Sequence, residues 1–157
     1  FTFLPLFILI IFFLFKKNGT KGLLVILLFI SVLILFTDQF TNVVKDFTQR
    51  LRPCRLDDLE GLLREIDITC GKYGFFSAHA ANSVSVTIFI INCVDESVKK
   101  VLKPVLIVWV MIFSYSRIYL GVHYPLDTIF GLSFGIFTGF LFKYLYNYFI
   151  SVKVFSY

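Results

Sequence analysis

Long apolar runs broken by short polar stretches divide the chain into five segments of helical length, about residues 1–15, 22–52, 77–94, 101–116 and 125–150. Several of the apolar cores hold about 15 residues, only about 22 Å of helix, so polar flanks must carry each one through the membrane interface. The second segment is different. Its apolar part ends near Phe36, yet "TDQFTNVVKDFTQRLR" continues without Gly or Pro until Pro53, which predicts a helix projecting beyond the bilayer. Elsewhere Gly and Pro are scattered, with no internal repeat and no low-complexity linker.

With 58% hydrophobic and 19% aromatic residues over 157 positions and a mean hydropathy of +0.85, the chain lies outside the balance of a soluble domain and belongs in a membrane. The predicted fold class is all-α, a polytopic transmembrane helical bundle forming one domain over residues 1–157. The chain opens on Phe1 and its first apolar run is short for a span, so a sixth helix is expected ahead of the five.

The net charge of +5 does not point to nucleic acid, because the basic residues sit at the ends of apolar runs and no basic face, stacking module or zinc spacing accompanies them. Lys16, Lys17 and Lys21 lie between the first two helices, Lys99, Lys100 and Lys103 between the third and fourth, and Lys143 and Lys153 flank the end of the fifth. The positive-inside rule makes that side the cytoplasm. The longer 53–76 connection, with its mixed charges, and the stretch "SRIYLGVHYPLD" at 116–127 then share the outer face.

Three polar stretches meet at that face. In "KDFTQRLRP", Lys45 and Arg52 are two helical turns apart and are expected on one helix face, about 10 Å apart along the axis; alone, they read better as cations snorkelling to headgroups. In "YGFFSAHAAN", Ser77 is an N-cap candidate that would leave the backbone N–H groups of Ala78 and His79 free for an anion, although a histidine at a helix end is commonly just an interfacial residue. In the third, Arg117 closes a helix, Gly121 permits a turn, and His123 precedes Asp127 by four residues, so the carboxylate can orient the imidazole or simply complement the helix dipole. Three cations, two histidines, a carboxylate and a helix N-terminus suit an anion. Lys45, Arg52 and Arg117 would repel a divalent metal, and few free ligands remain for one. A phosphate fits, with one histidine attacking phosphorus and the other protonating the departing oxygen.

The set resembles the type 2 phosphatidic acid phosphatase superfamily, whose pattern is Lys, six residues, Arg-Pro; then Pro-Ser-Gly-His; then Ser-Arg, five residues, His, three residues, Asp. Lys45 with Arg52 and Pro53, and Ser116, Arg117, His123 and Asp127, match at full spacing. "FSAH" keeps Ser77 and His79 but has Phe76 for the usual Pro and Ala78 for the usual Gly. The departures bear on the rigidity of the turn and the room beside the phosphate. The resemblance covers about residues 22–150 and implies a helical bundle, commonly of six spans, needing no metal or other cofactor. It further implies that His123 forms a phosphohistidine, Asp127 orients it, His79 serves as acid and then base, and Lys45, Arg52, Ser77, Ala78 and Arg117 hold the phosphoryl oxygens.

On this footing the expected function is hydrolysis of lipid phosphate or diphosphate at the outer face of a bacterial inner membrane, with membrane lipid as the setting and water as acceptor. Similarity to short, minimal members puts undecaprenyl diphosphate first, with phosphatidylglycerophosphate, phosphatidic acid and lipid A phosphate behind it. A lipid or sugar acceptor in place of water would make a phosphotransferase. The competing class is a non-catalytic lipid-binding or transport bundle; vanadate haloperoxidases share the pocket chemistry but their soluble members do not look like this chain. Among the remaining residues, Cys54 and Cys70 share the outer loop and either bridge, closing a loop of about 17 residues worth roughly 3 kcal/mol, or stay free. Cys93 reads as a core thiol, the Asn18 sequon as chance on the cytoplasmic side, and Trp109 with the many phenylalanines as lipid-facing or packing residues.

Overall fold

The computed structural model describes residues 3–56 and 70–152; the acidic part of the outer loop and Lys153 lie outside them. In chain order the elements are α1 (Leu4–Thr48), a short 3-10 turn (Pro53–Arg55), α2 (Ala78–Cys93), α3 (Glu96–Tyr119) and α4 (Pro125–Ser151). Among the described residues there is no strand, only an isolated antiparallel bridge between Leu51 and Tyr73. The helices α1, α3 and α4 are long and apolar enough to cross a membrane, and α2 is a shorter apolar helix.

The first two expected helices run together in α1, but Gly19 breaks it with φ 65° and ψ −176°. No atom crowds the place where its Cβ would stand, so the backbone rather than space calls for glycine. The break is a fold-back. Along an unbroken helix Phe3 and Ile34 would be about 46 Å apart, yet both line one cavity. The two arms, residues 4–18 and 20–48, therefore run antiparallel, and the expected five helical segments are all present. Asn18 Nδ2 donates to Leu14 O at 2.9 Å and to Cys93 O at 3.1 Å, while Lys17 Nζ donates to Val94 O at 2.8 Å. These bonds fasten the fold-back to the link between α2 and α3, so the lysine-rich turns share one end of the bundle.

Two helix limits differ most from expectation. The second arm does not continue to Pro53: it stops at Thr48, where Gln49 adopts a left-handed conformation with φ 48°. The reason is a competing partner, because the chain beyond pairs with residues 72–74, Gly74 N donating to Arg50 O at 2.9 Å and Arg52 N to Lys72 O at 3.3 Å. The fourth predicted helix begins five residues early, at Glu96, since Glu96 and Lys99 form an i,i+3 pair at 3.0 Å that suits a helix end outside hydrocarbon. Only Val94 and Asp95 then separate α2 from α3.

The helix at the centre is α2, which packs most extensively against α4 and then against α3 and α1. Its buried positions are largely small, Ala80, Ala81, Ser83, Ser85 and Thr87, as expected where membrane helices lie close without a hydrophobic drive between them. Facing them, Gly131, Gly135 and Gly139 recur every four residues on α4. A Cβ on Gly131 would come within 2.5 Å of Ser77 O, and one on Gly135 within 2.3 Å of Ala81 O. Ile10, Leu14, Ile26, Leu33, Phe89 and Phe142 fill the core, Cys93 is buried within it, and Leu28, Val101, Met111 and Phe137 face outward where lipid would lie. Replacing Gly135 by Val is expected to cost about 1–3 kcal/mol through overpacking, read as a lowered thermal midpoint in detergent; a midpoint equal to wild type would show that the two backbones are not held this close.

Candidate functional site

The ends of α1, α3 and the beginnings of α2 and α4 converge at the end of the bundle opposite the lysine-rich turns. Ser77 caps α2: its Oγ accepts from Ala80 N at 3.4 Å, and its own backbone N–H donates to Asp127 O at 3.0 Å. Neither Phe76 nor Ala78 disturbs that cap. The α2 N-terminus is thereby tied to the first turn of α4. Ala78 and His79 occupy the first turn of α2, where backbone N–H groups have no intrahelical carbonyl to use, and His79 is exposed with its ring 6.0 Å from that of Phe113.

His123 lies on the loop between α3 and α4 and is only 2% exposed. The loop is held by Arg117, whose carbonyl accepts from Val122 N at 3.2 Å and His123 N at 3.3 Å, and it turns at Gly121 with φ 64°. His123 Nδ1 lies 3.6 Å from Asp127 Oδ2, just beyond direct hydrogen-bond length. This directs Nε2 away from the carboxylate. Asp127 is fully buried. Its Oδ2 accepts from Tyr124 N and its Oδ1 from Arg50 Nη1, both at 2.9 Å, so it caps the helix and faces the imidazole at once. Burial pushes the His123 imidazole below its ordinary value of 6.5; Asp127 opposes that shift, while Arg52 and Lys45 reinforce it.

The three expected cations are here, though not as expected. Arg52 is extended, with φ −74° and ψ 153°, rather than two turns along the Lys45 helix. It reaches the site because Arg52 Nε donates to Tyr73 O at 2.9 Å. Gly74 makes room for it, since a Cβ there would lie 3.0 Å from Arg52 Cγ and 3.5 Å from Asp127 Oδ2. Burial lowers the Arg52 affinity for its proton and Asp127 raises it; the guanidinium stays charged. Arg117 lies over the Phe113 ring, 5.0 Å from its centroid. Arg117, Lys45, Arg52 and His123 are all within electrostatic range of His79. Cys54 and Cys70 form a disulfide with Cα atoms 6.5 Å apart, and Cys54 N donates to Gly121 O at 3.0 Å, which ties the outer loop to the His123 turn.

One residue of the site falls outside the sequence motifs. Arg50 pairs with buried Asp127 and lies over the Tyr124 ring at 4.3 Å, yet it falls between the motif positions and nothing in the spacing singles it out. The four-residue period of Gly131, Gly135 and Gly139 is legible in the sequence. Among the described residues no group of three or more His, Cys, Asp or Glu is arranged to hold a metal ion, and the donor set of cations, imidazoles and amides suits a tetrahedral oxyanion instead. Arg50→Met is expected to lower stability by about 1–3 kcal/mol, because Asp127 would stay buried without its charged donor. Thermal melts of the two proteins in detergent check this, and an unchanged midpoint would remove Arg50 from the support of the site.

Residues 21–151 match the family model described as the PAP2 superfamily. Over 144 residues the chain is 34% identical to a lipid A 4'-phosphatase of Bacteroides thetaiotaomicron, covering 90% of this chain and 63% of that protein. Over 145 residues it is 33% identical to a lipid A 4'-phosphatase of Porphyromonas gingivalis, covering 87% and 58%. The chain thus spans less than two thirds of the length of these relatives. In structure it is similar to a transmembrane PAP2-type phosphatidylglycerolphosphate phosphatase from Bacillus subtilis, with a TM-score of 0.67 and 24% identity, covering 99% of this chain and 72% of that one; at that identity the likeness concerns the fold.

Proposed function

We propose that this chain, which belongs to the PAP2 superfamily, is an integral membrane phosphatase that hydrolyses a phosphate monoester on a lipid A-type glycolipid at the outer face of the membrane. The observation that carries the reading is the convergence of His79, the His123–Asp127 pair and three cations around the N-terminus of α2. The names of the two relatives favour a glycolipid phosphate over undecaprenyl diphosphate, which no comparison supports. The outer-face orientation rests on the lysine-rich turns at the opposite end.

In this reading His123 Nε2 attacks phosphorus in line with the ester oxygen, and His79 gives that oxygen a proton as the bond breaks. Lys45, Arg52, Arg117 and the first-turn amides of α2 hold the three equatorial oxygens, where charge is spread in the transition state. Ser77 Oγ accepts in the cap, and its own proton is left to donate. His79, now neutral, takes a proton from water, which attacks the phosphohistidine and releases inorganic phosphate. Asp127 keeps Nδ1 of the nucleophile facing inward and balances the cation that forms on it. Positioning and charge supply the catalysis.

Purified protein is expected to release inorganic phosphate from lipid A, with chelator present or absent. His123→Ala should abolish release, and His79→Ala should lower kcat about 10²- to 10⁴-fold. Full activity in the His123 variant would reject the nucleophile, and transfer of phosphate to a lipid in place of release would make the protein a phosphotransferase. The profile of kcat/KM against pH should be bell-shaped. Because His123 must be neutral and its affinity for a proton is lowered, the acid limb should fall below pH 6.5; a profile flat across that region would contradict the division of roles.

A further inference from the structure

A cavity of about 460 Å³ opens from His79 and descends between the two arms of α1, α2 and α3. Its lower walls are apolar, from Ile34, Val86 and Trp109, but its upper part holds Asp38 and Asn82. Asn82 stands three residues after His79 on α2, about 4.5 Å deeper along the helix. Asp38 lies on the second arm, seven residues before Lys45 and about 10 Å below it. Asn82 Nδ2 donates to Asp38 Oδ1 at 2.8 Å, which holds the carboxylate at the cavity wall. Hydrogen-bonding capacity is left over: Asn82 Oδ1 and the indole Nε1 of Trp109 are buried without a partner. Polar groups and an ionisable side chain at this depth are costly unless something meets them.

We infer that the Asp38–Asn82 pair is a specificity subsite, receiving an O–H or N–H donor that the lipid carries within a few bonds of its phosphate while the adjoining chain enters the apolar cavity below. This rests on the glycolipid phosphatase reading and narrows its substrate class. With the phosphate held between His79 and His123, a chain descending past His79 meets Asn82 and Asp38 before it meets any other polar group lining the cavity apart from Ser83, which already donates to Ala80 O. A carboxylate accepts and cannot donate, so the selected feature is a donor, supplied by a hydroxyl on the acyl chain or by an amide linkage to the sugar. Prenyl phosphates and plain glycerolipid phosphates lack both near the headgroup. A polar site rejects an analogue missing its partner far more strongly than an apolar pocket rejects an extra methylene.

The test measures phosphate release by wild type and Asp38→Leu from three glycolipid monophosphates: one with amide-linked 3-hydroxyacyl chains, one lacking the 3-hydroxyl, and one with ester in place of amide. Wild type is expected to lose about 10- to 100-fold in kcat/KM on one of the two analogues, which identifies the donor. Asp38→Leu should treat that analogue and the parent alike. Equal wild-type rates on all three compounds would overturn the subsite, and so would a variant that slows on all three while keeping the wild-type preference, the behaviour of a staple between helices. If Asp38→Leu does not fold, the wild-type series still decides. Wild type that releases phosphate from phosphatidic acid or a prenyl phosphate but from none of the three overturns the glycolipid reading itself, a result distinct from equal rates.

Discussion

Everything at the site depends on how closely α2 and α4 approach. Ser77 O and Ala81 O lie against Gly131 and Gly135 at separations that leave no room for a methyl group, and the Ser77 N–H closes the contact on Asp127 O. Two helix N-termini are thereby fixed side by side, one carrying His79 and the other Asp127. In hydrocarbon, where apolar side chains gain little by leaving lipid, close backbone packing is the available source of rigidity. The same contact that stabilises the bundle thus sets how far His79 stands from Asp127.

Around this pair the remaining elements act as clamps. The carbonyl of Arg117 holds the His123 loop, the disulfide and Cys54 N–H hold the outer loop against Gly121, and the 50–52 and 72–74 segments pair so that Arg52 bends inward. Concentrating this much positive charge is unfavourable in the absence of an anion. Burial and the neighbouring cations both favour a neutral His123, the state that the proposed nucleophile requires. Asp127, satisfied by Arg50 and by Tyr124 N, is the counterweight that keeps the ring aligned without surrendering its charge.

How much of this could be read from the chain varies by residue. The Ser77 cap and the Gly121 turn are local and the structure forms both, while the four-residue step brings His123 and Asp127 to 3.6 Å, short of a direct hydrogen bond. The second arm ends earlier than its sequence predicts, because nothing between Lys45 and Arg52 breaks a helix. Its end at Gln49 comes from backbone pairing with a segment more than twenty residues away, a partner that periodicity cannot reveal. Arg52 therefore meets Lys45 across a bend rather than along a helix face. For the same reason Arg50 was invisible as a partner of Asp127, from which it is separated by 77 positions.

The sequence by itself determined that the chain is a membrane bundle of five helical segments, with lysine-rich turns at one end and three charged motifs at the other, because apolar run length, charge placement and motif spacing are properties of neighbours along the chain. Tertiary structure alone decided the fold-back at Gly19, the register of the α4 glycines against α2 carbonyls, the anchoring of Asp127 by Arg50, and the cavity that joins Asp38 and Asn82 to His79. These arise where segments remote in sequence compete for the same backbone partners and the same space. That competition is resolved only when the helices pack.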